Sequence, residues 1–236
     1  MDRQHRHDLK HDKFVDEIGV LSSKARDNQR ILLLIAGGLI AVAVIVYGIF
    51  FYRQNREENA QQALATAIET FEAPVGEAAA NATQTGPKFK TEPEKTAAAE
   101  KQFKEVQAKH SGTDASDIAG LYLARIAAGR GDTKAARPPI EEFIRKHGDH
   151  TLAGGARFSL YQMRIEGGEA AQVAVELNAE LNKKEPALPA DSLLVLLAQA
   201  YDAQGQGDKS REAYRRITSE FPESPFAVEA QRRVGA

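Results

Sequence analysis

SLLVLLAQAYDAQGQGDKSREAYRRITSEFP, residues 192–222, decides the fold. Its first half, Ser192–Ala203, is almost wholly apolar and meets no breaker until Gly205 and Gly207. Its second half sets Ser210, Tyr214 and Ile217 on one helical face and stops at Pro222. This is a helix–turn–helix unit. Small residues stand where two helices must cross closely, large ones fill the gaps, and Gly or Pro ends each helix.

The same unit recurs upstream. Ala99, Ala136, Ala174 and Ser210 are spaced by 37, 38 and 36 residues, as are Phe103, Ile140, Asn178 and Tyr214, and Val106, Phe143, Leu181 and Ile217. Ser111, Gly148, Pro186 and Pro222 form a column of breakers. Before each small residue stands another apolar helix: Ile118–Ala128, Leu152–Ile165 and Ser192–Ala203, followed by Gly129 and Gly131, Gly167 and Gly168, and Gly205 and Gly207. A period in the mid-thirties predicts an α-solenoid. Leu194, Leu197, Ala198, Tyr201, Gly205, Tyr214 and Pro222 stand at the spacing of a tetratricopeptide repeat, with Ser210 where Ala is usual. The unit at Leu123, Ala124, Gly131, Ala136 and Phe143 also matches, with Gly148 in place of Pro. In the third unit the polar Asn178 falls where a large apolar residue is expected. Ser224-Pro225 reads as N-cap and N1 of a last helix through Val234 that covers the open end. Pro138-Pro139 should bend the helix it opens or delay its start.

Toward the N-terminus, Arg53–Glu72 lacks Gly and Pro and repeats Ala60, Ala63, Leu64, Ala67, Ile68 and Phe71 on one face. Residues 73–96 break the pattern and predict a flexible loop between the two helices of the first unit. It contains Asn81-Ala82-Thr83, a glycosylation triplet that arises readily by chance in such a composition.

Residues 31–52, ILLLIAGGLIAVAVIVYGIFFY, hold no charge and no proline. At about 1.5 Å per residue they span roughly 33 Å, the hydrocarbon core of a bilayer. Fourteen of the 22 are Leu, Ile, Val or Phe, which favours insertion by roughly 4–8 kcal/mol. The stretch is too long for the apolar part of a signal peptide and no small-x-small site follows it, so we read an uncleaved anchor. Lys13, Lys24, Arg26 and Arg30 flank it on one side, Arg53 and Arg56 on the other. The bias places the N-terminus in the cytoplasm and residues 53–236 outside it. Gly37 and Ala41 form a small-xxx-small pair, a candidate contact with another membrane helix. Residues 1–30 are a polar tail in which Phe14, Ile18 and Leu21 mark a short amphipathic helix, suited to the membrane surface or to a partner. His5, His7 and His11 sit close together there without a ligand framework.

The expected architecture is all-α: a tail (1–30), a single transmembrane helix (31–52), and a tetratricopeptide-like α-solenoid (53–236) of three to four hairpins plus a C-terminal capping helix.

Several function classes fall away. The tail holds seven of the 31 basic and six of the 33 acidic residues, which leaves residues 53–236 with 24 and 27. A net −3 is no nucleic-acid footprint. There is no cysteine, hence no disulfide, thiol nucleophile or thiolate site. No phosphate loop, Ser/His/Asp arrangement or metal-spaced His pair is present, so neither catalysis, nor a cofactor, nor a small-molecule substrate is expected. The Arg-Gly-Asp triplet at 130–132 belongs to a turn between repeat helices.

What remains is protein binding. The first helix of each hairpin would line a concave groove from Leu121, Arg125, Arg157, Leu160, Arg164 and Leu196, suited to apolar or acidic segments.

An anchor followed by degenerate repeats resembles the ancillary subunit family of the bacterial Sec translocon. The likeness rests on the order Phe14–Leu21, anchor, helix with Phe71, AEKQFKEV (99–106), IAGLYLARIAAGRGD (118–132) and two further hairpins. It departs in lacking Trp near the membrane and in its long Ala/Thr loop. The resemblance implies an inner-membrane protein with a periplasmic domain that meets translocon subunits, an anchored periplasmic chaperone and exported clients. The closing stretch AYRRITSEFPESPFAVEAQRRV (213–234) is also similar to repeats of outer-membrane assembly lipoproteins and of the periplasmic protein that coordinates Tol-Pal with wall synthesis. An envelope-assembly or division scaffold is therefore an alternative, as is a regulator whose tail sequesters a signalling protein.

Overall fold

The computed structural model describes residues 29–76 and 86–235. The tail motifs Phe14/Ile18/Leu21 and His5/His7/His11 and the triplet at Asn81 lie outside them. The described residues are all-α: α1 Gln29–Glu72, α2 Glu92–Lys109, α3 Asp114–Gly129, α4 Thr133–Lys146, α5 Ala153–Arg164, α6 Ala170–Leu181, α7 Ala190–Ala203, α8 Gly207–Glu220 and α9 Ala227–Val234. A five-residue wide turn, Ile165–Glu169, joins α5 to α6. The chain divides into two compact units, Met1–Arg56 and Glu57–Ala236.

In the first unit, every large apolar side chain described from Leu33 to Tyr52 is more than half exposed. No described residue covers this surface, and the helix is long and apolar enough to cross a membrane. Gly37 has nothing within 4 Å of where a Cβ would stand, and Ala41 is likewise exposed.

The second unit is the repeat array. Ala60, Leu64 and Ala67 of α1 are buried against Ala99, Phe103 and Val106 of α2, so the first hairpin closes despite its insertion. Glu57 caps α3 from a distance: its carboxylate accepts the Asp114 and Ala115 amides at 3.0 and 3.1 Å, where the helix dipole favours an anion. Phe103 stacks on Tyr122 at 4.8 Å, and Phe71 meets both rings edge-on at 6.2 and 5.6 Å. The repeat columns behave as their residue types demand. Ala99, Ala136, Ala174 and Ser210 are buried where helices cross, and Phe103, Ile140 and Tyr214 fill the space beside them. The turn glycines Gly131, Gly168 and Gly205 recur at intervals of 37 residues, and all have positive φ, +78°, +90° and +69°, which a side chain would strain.

The structure corrects four sequence readings. The loop after α1 is shorter than 73–96, because α2 begins at Glu92. Thr91 Oγ1 accepts the Glu94 amide and Glu94 accepts the Lys90 amide, a reciprocal cap. The loop ends are joined, since Gly76 N donates to Phe89 O at 3.0 Å beside a Val75–Phe89 bridge. Pro138-Pro139 neither delays nor ends its helix: α4 starts at Thr133, where Asp132 Oδ1 accepts the Ala135 amide. A Cβ on Gly120 would make an ordinary 3.7 Å contact with Pro139 and a tight one, 3.1 Å, with Gln107 Nε2. In the third unit the apolar position belongs to Leu177, fully buried, while Asn178 is exposed and binds Ala174 O and Tyr201. Finally, the last helix starts at Ala227 rather than Pro225. Ser224 Oγ still accepts the Phe226 amide, and its own hydroxyl donates to Asp191 Oδ2.

Glu180 organises the connection between α6 and α7. It is 8 % exposed, and its carboxylate accepts the Ala187 amide at 2.6 Å and pairs with Lys183. This holds the connection down so that Leu188 enters the core. The Lys183 pairing, followed by the Ala187 hydrogen bond, holds the Glu180 carboxyl below the usual glutamate range against the opposing effect of burial. A depressed folded pKa stabilises above the unfolded value of about 4.3 and is lost as pH falls through the folded one. We expect Glu180→Gln to lower stability by about 1 kcal/mol at neutral pH. That difference should close toward pH 3, as read from urea midpoints at both pH values.

Candidate functional site

A cleft of about 580 Å³ opens on the array, between α3 and α5. Helix α3 contributes Leu121, Tyr122, Arg125 and Ala128, and Arg125 stands three or four positions from each of the others, on one broad face. Helix α5 contributes Gly155, Ala156, Ser159, Gln162 and Met163, with Leu152 at its entry and Glu166 beyond its end. Ile140 of α4 forms part of the wall. The floor is built from small residues, and a Cβ on Gly155 would find nothing within 4 Å. Leu152 is 41 % exposed, unusual for a leucine in this unit.

Arg125 is the cation of the cleft. Its guanidinium lies 5.2 Å from the centre of the Phe71 ring, a cation–π contact that fixes the side chain without neutralising it. Burial pushes the Tyr122 phenol up, helped by the Glu72 charge, so it stays a neutral donor beside Arg125. Glu166 is exposed at the other end of the cleft. The cleft is thus largely apolar, with one basic and one acidic side chain in its lining. It holds no nucleophile–base pair, and no cluster of three metal-ligating side chains occurs among the described residues.

Of the six residues expected to line a groove, Leu121 and Arg125 do so and four do not. Arg157 points to the α4–α5 turn, where it donates to Gly148 O at 2.9 Å. Leu160 packs against the core of the first repeats. Arg164 is committed: it makes a two-pronged pair with Glu176 at 2.6 and 2.7 Å and a third contact with Glu169. These carboxylates hold its pKa above the usual arginine range. Glu169 also receives Arg137, so the network ties α4, α5 and α6 across the wide turn. Leu196 is fully buried. The stripe of α5 that does face the cleft, Gly155, Ser159 and Gln162, was reachable through the repeat register. The 37-residue interval between Gly131 and Gly168 carries Arg125 onto Gln162 and Leu121 onto Phe158, one residue from Ser159.

A comparison with curated proteins and with solved structures gives no significant match. The family model of the tetratricopeptide repeat-like domain matches residues 29–229, and it covers the apolar helix as well as the array. With the helical hairpins, the turn glycines and the small-residue crossings at tetratricopeptide spacing, this places the chain in the tetratricopeptide repeat-like domain family.

Proposed function

We propose that the protein is a non-enzymatic, membrane-anchored interaction scaffold that assists the Sec translocon and periplasmic chaperones. In this reading it spans a bacterial inner membrane once, with its N-terminus in the cytoplasm and its repeat array in the periplasm. The observation that carries the reading is the pairing, in one chain, of an uncovered apolar helix with a repeat array whose cleft is open and partly apolar. Each is a binding surface of its own kind. The helix can meet other helices in lipid, for which Gly37 and Ala41 offer a close approach, and the cleft can meet a polypeptide segment. A partner in the membrane together with clients outside it is what an accessory subunit of a protein-conducting channel requires.

The test is quantified co-purification of the intact protein in mild detergent, repeated with residues 31–52 replaced by an unrelated membrane helix. Channel subunits should be enriched with the native helix and fall at least tenfold with the replacement. Channel subunits absent from both preparations, with envelope-assembly proteins retained after the swap, would overturn the reading in favour of a scaffold for envelope assembly.

A further inference from the structure

We propose that the cleft between α3 and α5 binds an extended segment of a partner protein in which one Asp or Glu is flanked by apolar residues, the carboxylate pairing with Arg125. The proposal deepens the scaffold reading and rests on it.

Three observations carry it. First, Arg125 lacks the anion that its neighbours have. Arg130 is paired with Glu100, Arg137 with Glu141 and Glu169, and Arg164 with Glu169 and Glu176. Among the described residues no carboxylate stands within ion-pair distance of Arg125, which faces an aromatic ring instead. Arg125 is exposed, and a guanidinium held on a ring beside an apolar cleft is placed to take a carboxylate through a charge-assisted bond. Second, Leu121, Leu152 and Met163 line the same cleft with apolar surface, while the exposed Glu166 in that lining disfavours a second acidic residue beside it. Third, Ser159 and Gln162 line the cleft, and their side chains make no hydrogen bond among the described residues. Donors and acceptors spaced along an apolar floor match the amides and carbonyls of an extended main chain. They would be wasted on an alkyl chain, which favours a polypeptide over a fatty acid. The bare Gly155 floor leaves room for that main chain to approach.

The test measures binding to the full-length protein in lipid nanodiscs by fluorescence anisotropy. The probes are fluorescein-labelled peptides of alternating leucine and serine with a central glutamate, glutamine or lysine. The glutamate peptide should bind about 5–20 times more tightly than the glutamine peptide, as for one charge-assisted hydrogen bond, and the lysine peptide more weakly still. Arg125→Gln should remove the preference, and Arg125→Glu should reverse it in favour of lysine. Gly155→Leu should abolish binding of all three. It fills the floor at a helix position where leucine is a better helix former than glycine, and an unchanged circular-dichroism melt of the variant separates lost binding from lost fold. Equal binding of the three peptides, a preference that survives Arg125→Gln, no binding at all, or tight binding of dodecanoate in place of any peptide would each overturn the proposal. None of these outcomes bears on whether channel subunits co-purify through the anchor, so the two readings fail separately.

Discussion

Tyr214→Ala is expected to destabilise the C-terminal part of the array by about 3–5 kcal/mol. Tyr214 is only 2 % exposed and is the largest fully buried side chain described in the array. It is enclosed by Leu194, Val195 and Ala198 of α7, Ala213 and Ile217 of α8, and Ala230 of α9. Three of these neighbours are alanines, which have no side chain to swing into the space a lost ring would leave, so much of the cavity cost should remain. A solenoid's stability is close to a sum over neighbouring interfaces. The loss should therefore appear first in α7, α8 and α9, whose amides would exchange faster, while α3 and α4 keep their protection. Native-state hydrogen exchange on the full chain in detergent micelles reads this directly. Uniform loss of protection from α3 to α9 would mean that the array opens as one unit. Unchanged protection in α7–α9 would mean that the ring contributes little. Tyr214→Phe keeps the ring and should stay within about 1 kcal/mol of the native protein.

Tyr214 was legible in the sequence because its column repeats. Phe103, Ile140 and Tyr214 stand at matching spacing, each with a small residue four positions earlier, and leave one consistent packing, with Asn178 the exception. The cleft was only half legible. In α3 the choice of face was easy, since Leu121 and Arg125 stand one turn apart, while Ser116 and Gly120 on the other side of the helix are buried. In α5 the sequence AGGARFSLYQMR has small, aromatic and basic residues on every side, so periodicity does not choose a face. Arg157 and Arg164 suggested binding because they are long and charged. Arg164 is instead neutralised by Glu176, a residue twelve positions away that reaches it only after the wide turn folds back. Leu196 failed for another reason. Residues 193–198 are buried on both sides, with Leu193, Leu196 and Leu197 facing α6 and Leu194, Val195 and Ala198 facing α8 and α9. An all-apolar helix is the mark of a central element, and it offers no face to a ligand.

The prediction with the largest consequence for location concerns the anchor. Val42→Arg combined with Val44→Arg places two charges near the middle of residues 31–52. The fourteen Leu, Ile, Val and Phe residues of that stretch favour insertion by roughly 4–8 kcal/mol. Each central arginine costs about 2.5–3.5 kcal/mol and removes a valine worth about 0.3–0.6, so the pair opposes insertion by roughly 6–8 kcal/mol. The balance moves from clearly favourable to about zero or below. Most of the variant should then leave the membrane pellet on carbonate extraction, while the native protein stays. A single substitution should not suffice, because one arginine leaves a favourable remainder and its long side chain can reach toward an interface. Tyr47, Phe50, Phe51 and Tyr52 cluster at one end of the stretch, with Arg56 over the Tyr52 ring at 5.9 Å. Aromatic rings beside a basic residue suit the headgroup level and would set that end's depth. If the double variant remained in the pellet, lipid insertion of this helix would not be what holds the protein there, and protein contacts made by the array would be the remaining source of attachment.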